Sequence, residues 1–251
     1  MLKLINLELK RNNIKVYILS VFIAFAALLG FTYLFAYVPH KQARNSLEAM
    51  LMEAVSFMFS TYDSIISLTC IISVSIFTIL SAVMYTQFVV EDYKGKQVYL
   101  LFSYPVNRSK IFLSKVIVVF SFTVLSMNLC NAAVFYVFYL TESISPLVVT
   151  DTFSMQTVAE AAKSTIIFSL LAGALGVISM KVGFIKKSIP ATIIASVIFV
   201  TFMSNVLSVP ILIGSTLGNN ILILACLIIA LCVSIFFVIE LMRKVNRMEV
   251  E

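Results

Sequence analysis

Six long apolar runs alternate with short polar stretches along the chain, at roughly 16–38, 63–90, 111–140, 158–180, 188–213 and 220–241. Each is long enough to cross a hydrocarbon core of about 30 Å as a helix. The first run is too long for a signal peptide, and no small-residue cleavage site follows Phe35, Tyr37 and Pro39, so it reads as a retained span. Ahead of it, Leu2, Ile5 and Leu9 share one helical face, flanked by Leu4 and Leu7, with Lys3, Lys10, Arg11 and Lys15 supplying charge. That pattern predicts an interfacial helix over 1–15, against the simpler reading of a basic terminus that only sets orientation. A second amphipathic stripe, Leu47, Met50, Leu51, Ala54, Val55 and Met58, falls between the first two runs. It predicts a helix at the outer membrane face, packed on neighbouring spans.

Polar residues inside the runs carry the next layer of information. Ser60, Ser64, Ser67, Ile71, Ser75, Thr78, Ala82 and Tyr85 fall on one face of the second run. Small and hydroxylated residues in a span mark close helix packing, and serine and threonine also satisfy themselves on their own backbone. Packing is therefore the first reading of this face, and a polar pathway the sharper one. In the third run Asn128 and Asn131 stand three residues apart. An amide in hydrocarbon needs a partner, on a neighbouring helix or in a wet cavity. Thr141 to Thr157 reads as an outer loop with Glu142, Pro146 and Asp151. Ala172 and Gly176 give the fourth run a small-xxx-small spacing, and Lys181, Lys186 and Lys187 close it on a basic turn. Asn205, Pro210, Gly214 and Gly218 interrupt the fifth run, which predicts a helix ending near Asn205 and a short re-entrant or interfacial piece over 206–217.

The most informative polar stretch is EDYKGKQVYLLFSYPVNRSKIFLSK, Glu91 to Lys115. It carries Lys94, Lys96, Arg108, Lys110 and Lys115, yet its centre, Val98 to Phe102, is apolar. A loop that only joined two spans would not need that centre. The stretch predicts a short cytoplasmic helix over 91–110, held by another protein.

Composition narrows the class. Of 251 residues, 61% are hydrophobic and 12% charged, with a mean hydropathy of +1.06. A soluble domain carries about a quarter of its residues as charges. The chain reads as a single all-α integral membrane domain over 1–251. The net charge of +6 does not point to nucleic acid, because the cations flank apolar runs and form no separate basic face. With six spans, one side holds the cations of the N-terminus, of the 91–115 stretch, of 181–187 and of Arg243, Lys244 and Arg247. The other side holds Lys41, Arg44 and Lys163. This asymmetry predicts both termini inside the cell. The four cysteines, each within an apolar run and none at metal-ligand spacing, read as small core residues. His40, the single histidine, reads as an exposed loop residue that cannot build a metal site. No Ser/His, paired-Asp or HExxH arrangement points to an intramembrane enzyme.

The pattern resembles the membrane subunit of ABC-2 type exporters. Those permeases have an N-terminal elbow helix, six spans and a cytoplasmic coupling helix between spans two and three. In their segment after span two, an acid precedes a glycine, a Leu-rich turn, a Pro-x-x-Arg element and a closing Gly-Lys pair. Glu91 and Gly95 match the first two, Leu100 and Leu101 the turn, Pro105 and Arg108 the third, and Lys115 the closing lysine. Asp92 stands where a cation is common, Lys96 where threonine is common, and Ser114 replaces the last glycine. In size and loop length the chain looks most like permeases for bacitracin and lantibiotic immunity or phenol-soluble-modulin export. Its Asn, Ile and Lys usage is in keeping with the cell membrane of a low-GC Gram-positive bacterium.

The resemblance implies a division of labour. The chain has no glycine-rich phosphate loop, so it binds no ATP by that route and needs no cofactor of its own. Two copies of a separate cytoplasmic ATPase would hold ATP and Mg and would dock on Glu91, Gly95, Tyr99, Leu100, Leu101, Phe102, Tyr104, Pro105 and Arg108. A second permease copy, forming a homodimer, would complete the route. Ser67, Thr78, Asn128, Asn131 and Asn205 are the candidates for lining it, near spans two and five. The expected substrate is an amphipathic antimicrobial or cytolytic peptide entering from the lipid. The rival readings are an exporter of lipid, drug or polysaccharide on the same fold, and a non-transport membrane scaffold or sensor moved by an ATPase.

Overall fold

The computed structural model describes residues 14–37, 62–93, 108–144, 155–213 and 216–247. The described residues fold into six helices: α1 (Ile14–Tyr37), α2 (Tyr62–Tyr85), α3 (Arg108–Ile144), α4 (Met155–Lys186), α5 (Ile189–Ile213) and α6 (Thr216–Arg247). A π-helical turn, Thr86–Val90, continues α2. All six helices are long and apolar enough to cross a membrane. Among the described residues, the expectation of an all-α fold with six such helices is met. Most of the elbow stretch, the 41–61 stripe and residues 94–107 lie outside the described residues.

Successive helices run in opposite directions, as contacts at the two ends of the bundle establish. At one end Tyr17 of α1 meets Phe88, Tyr93 meets Phe112 and Phe184, and Lys181 meets Glu240. At the other end Tyr33 bonds Thr141, and Tyr62 bonds Glu142. The first is called the basic end here, because Lys110, Lys115, Lys181, Lys186, Lys187, Arg243 and Lys244 cluster toward it.

The inner helices are α2, α3 and α4, each with more than half of its apolar window buried. The outer helices, α1, α5 and α6, expose most of theirs. Small residues decide which helices can be inner ones. At Gly176 an added Cβ would stand 2.2 Å from Ser81 Oγ, so α4 lies directly on α2. At Gly183 it would stand 1.7 Å from Thr192 Oγ1 and 3.4 Å from the Thr192 Cα, so α4 and α5 touch almost backbone to backbone. The outer helices instead turn Phe22, Leu34, Ile198, Phe202 and Ile229 outward, which suits contact with lipid.

Several polar residues expected to end helices do not. α3 continues through Thr141 and Glu142 to Ile144, and α4 already begins at Met155, so both margins of what was expected as the 141–157 loop are helix. Thr141 Oγ1 bonds the Phe138 carbonyl at 2.8 Å, and Ser143 Oγ bonds the Tyr139 carbonyl at 2.9 Å. Likewise α5 does not stop near Asn205 but runs on to Ile213, overlapping the expected 206–217 piece. Asn205 Nδ2 donates to the Thr201 carbonyl at 2.7 Å, and Ser208 Oγ to the Asn205 carbonyl at 2.9 Å. Polar groups folded back on their own helix leave its ladder intact.

The turn between α4 and α5 is built on a Schellman motif. Ser188 N bonds the Gly183 carbonyl, Lys187 N bonds the Phe184 carbonyl, and Lys187 takes a left-handed φ of 47°. α5 then starts with Pro190 in its first turn, where the missing N–H has no partner to lose.

Candidate functional site

The polar stretch between α2 and α3 emerges from a tightly built neck. The π-turn at Thr86–Val90 is closed by Glu91 N donating to the Thr86 carbonyl at 2.9 Å. One extra residue in a helical turn rotates everything after it by about 100°. Beyond that rotation, Asp92 reaches Lys115 of α3 and pairs with its ammonium. Lys115 is 0% exposed, and the Asp92 side chain is 14% exposed. Tyr93 packs into an aromatic triad with Phe112 of α3 and Phe184 of α4, with ring centroids 5.4–6.1 Å apart. Tyr17 of α1 donates to Gln87, and Tyr85 donates to the Val116 carbonyl at 3.3 Å. Ser109 donates to Asn246 of α6 at 2.6 Å. Five helices thus meet around the base of the stretch.

This arrangement changes the reading of Lys115. In the sequence it is one of five cations of the polar stretch. The structure buries it, and the ion pair with Asp92 explains how an ammonium is held there. Glu91 is exposed at the rim of the neck. The Arg108 backbone opens α3, so Arg108 to Lys110 belong to that helix rather than to a separate one. Gly95, Tyr99, Leu100, Leu101, Phe102, Tyr104 and Pro105 lie outside the described residues.

The candidate route residues do not gather on one surface. Asn131 is buried and accepts a hydrogen bond from Ser73 of α2. Asn128 donates to Ser169 of α4 at 2.8 Å and to the Val124 carbonyl on its own helix. The two amides therefore tie α3 to two different neighbours, which is the helix-bridging use of an intramembrane amide. Thr78 is buried, and neither its Oγ1 nor Ser81 Oγ nor Asn131 Nδ2 has a hydrogen-bond partner among the described residues. Ser67 is half-buried on α2, and Asn205 is exposed on α5.

Asn128 does line a cavity of about 750 Å³ toward the end opposite the neck. Tyr62, Phe135, Tyr136, Ala161 and Thr165 are among its walls. The volume lies within the range of small-molecule sites, and the mix of mostly apolar walls with one amide is typical of them.

Sequence reasoning missed the Asp92–Lys115 pair, although the signal was there. Asp92 was noted as an acid out of place, and Lys115 is followed at once by an unbroken apolar run. Buried ionisable groups in such surroundings come in pairs. It also missed Glu142, which is buried and accepts a hydrogen bond from Tyr62 at 2.8 Å, and Gly183. The cysteines divide: Cys70 and Cys130 are buried as expected, whereas Cys232 is exposed on α6.

No protein-family model matches the chain, and no solved structure matches it. The chain is similar to the uncharacterized protein YcbO of Bacillus subtilis (strain 168), with 25% identity over 204 residues, 81% of this chain and 84% of that protein.

Proposed function

We propose that this chain is the membrane subunit of an ATP-driven ABC-2 type exporter. In this reading the basic end faces the cytoplasm, as the excess of Lys and Arg there supports. A separate ABC ATPase docks on the segment carrying Tyr99 to Pro105, and two copies of each chain assemble with two-fold symmetry. The substrate is an amphipathic peptide, taken from the lipid phase of a bacterial cell membrane.

The observation that carries the proposal is the neck. On either side of residues 94–107, Asp92, Tyr93, Phe112 and Lys115 pack together among the innermost helices of the bundle. A loop whose only task was to join two spans would need no such foundation. The apolar side chains Leu101 and Phe102 are the expected anchors, since a few desolvated apolar residues carry most of an interface's affinity.

The test replaces Leu101 and Phe102 together with aspartate. Loss of an anchor of this kind costs about 2 kcal/mol or more, roughly thirtyfold in affinity. The double variant should insert normally yet lose co-purification with the ABC ATPase that the proposal pairs with it. Glu160→Gln, exposed near the opposite end, should retain the complex. A double variant that still binds the ATPase and still couples ATP turnover to export overturns the docking assignment.

A further inference from the structure

We infer that Asp92 and Lys115 are positioning residues that carry motion from the 94–107 segment into the inner helices. The inference rests on the exporter reading and adds to it the pair through which force passes. The pair stands at the two chain ends of the segment, residue 92 leaving α2 and residue 115 on α3. Its ammonium is fully buried, on α3 beside Ser114 and Val116, which are buried as well.

Apolar residues could have filled the same volume. A buried ion pair is a poor source of stability, because desolvating both charges offsets most of their attraction. What a pair supplies is registry: it holds two elements at one relative position and resists separation of its charges in a low dielectric. Here the two elements are the end of α2 and the start of α3. The aromatic triad of Tyr93, Phe112 and Phe184 extends the same block to α4. α4 in turn contacts α2 through Gly176 and α5 through Gly183. A displacement applied at the neck therefore reaches α2, α3, α4 and α5 without crossing a loose joint. The π-turn makes the pair possible, since the same residues wound as regular α-helix would turn Asp92 about 100° away.

The experiment compares wild type with Asp92→Asn, the neutral pair Asp92→Asn/Lys115→Gln and the exchanged pair Asp92→Lys/Lys115→Asp. Each is reconstituted with its ABC ATPase in proteoliposomes. Three quantities are read: ATPase binding, ATP hydrolysis, and labelled amphipathic peptide moved per ATP. Amide hydrogen exchange over 86–93 and 109–119 is read on the chain alone in nanodiscs. For Asp92→Asn and the neutral pair, ATPase binding should stay within twofold while peptide moved per ATP falls at least tenfold. Exchange at the neck should rise at least tenfold, and the exchanged pair should recover coupling to within threefold of wild type.

The neutral pair removes both charges of the contact together, so it keeps the test valid if Asp92→Asn does not fold. A neutral pair that loosens the neck but couples as wild type shows a merely structural contact and overturns the inference. A neutral pair with unchanged exchange at the neck overturns it as well. A wild-type chain that binds no ATPase overturns the exporter reading first, and the transmission role falls with it.

Discussion

At the scale of single residues, the tightest constraints fall on glycine. Gly176 and Gly183 sit where a Cβ would collide with Ser81 and Thr192, whereas Gly30 on α1 has open space around it. Gly176→Ala and Gly183→Ala should each destabilise the chain by about 1–3 kcal/mol, the usual cost of overpacking. Gly30→Ala should stabilise it by about 0.5–1 kcal/mol, because a helix interior favours alanine. Unfolding in detergent, followed by helicity against denaturant, reads all three. Opposite signs are expected, and a uniform sign would contradict the packing described. The Ala172/Gly176 spacing was legible in the sequence because small residues at that interval have few other uses. Gly183 was not, since a lone glycine near a helix end usually marks a cap.

Ser73 makes a second residue-scale case. Ser73→Ala should cost about 0.6–1.7 kcal/mol, the span measured for hydrogen bonds between membrane helices. In the packing reading, export follows the amount of folded protein. A variant with unchanged stability and altered peptide selectivity would instead put Asn131 on the substrate route.

At the scale of elements, helix existence was legible and helix limits were not. Six apolar runs announced six helices. Thr141 and Asn205 looked like breaks because they are polar, but each bonds a carbonyl of its own helix. Periodicity records polarity without recording where a side chain turns. The π-turn was invisible for a related reason, because Thr86–Val90 contains nothing that α-helix would refuse. Inserting one alanine between Val90 and Glu91 should turn Asp92 about 100° away from Lys115. The insertion should match Asp92→Asn in its loss of coupling, and the two together should lose little more, as changes to one contact do. Additive losses would separate the turn from the pair. At the α4–α5 turn, Lys187→Gly should stabilise by about 1 kcal/mol, since glycine adopts the left-handed conformation without the Cβ penalty. A shift of the denaturation midpoint reads it, and no gain would mean that Lys187 makes a compensating contact.

At the scale of the whole molecule, the inner and outer helices divide the work. α2, α3 and α4 hold the neck, the bridging amides and the cavity, while α1, α5 and α6 show broad apolar faces. Membrane character was legible from hydropathy alone, because little else accounts for six such runs in one chain. The candidate site was half legible. The polar stretch stood out, but its foundation needed three dimensions, since Asp92 and Lys115 stand apart in sequence and are brought together by the end of one helix and the start of the next. The route was the least legible part, because hydroxyl and amide groups look alike whether they bridge helices or face a channel. Asn128 combines the two, bridging to α4 while lining the cavity.

The central claim is that this bundle moves a substrate with energy supplied by another chain. It is tested most directly in proteoliposomes that hold this chain and the ABC ATPase that the proposal pairs with it, with the basic end outward and a fluorescent amphipathic peptide in the medium. ATP added outside should drive peptide into the lumen, and the Leu101→Asp/Phe102→Asp variant should abolish that uptake. Equal uptake with and without ATP, or ATP-driven uptake that persists in the variant, would contradict the account.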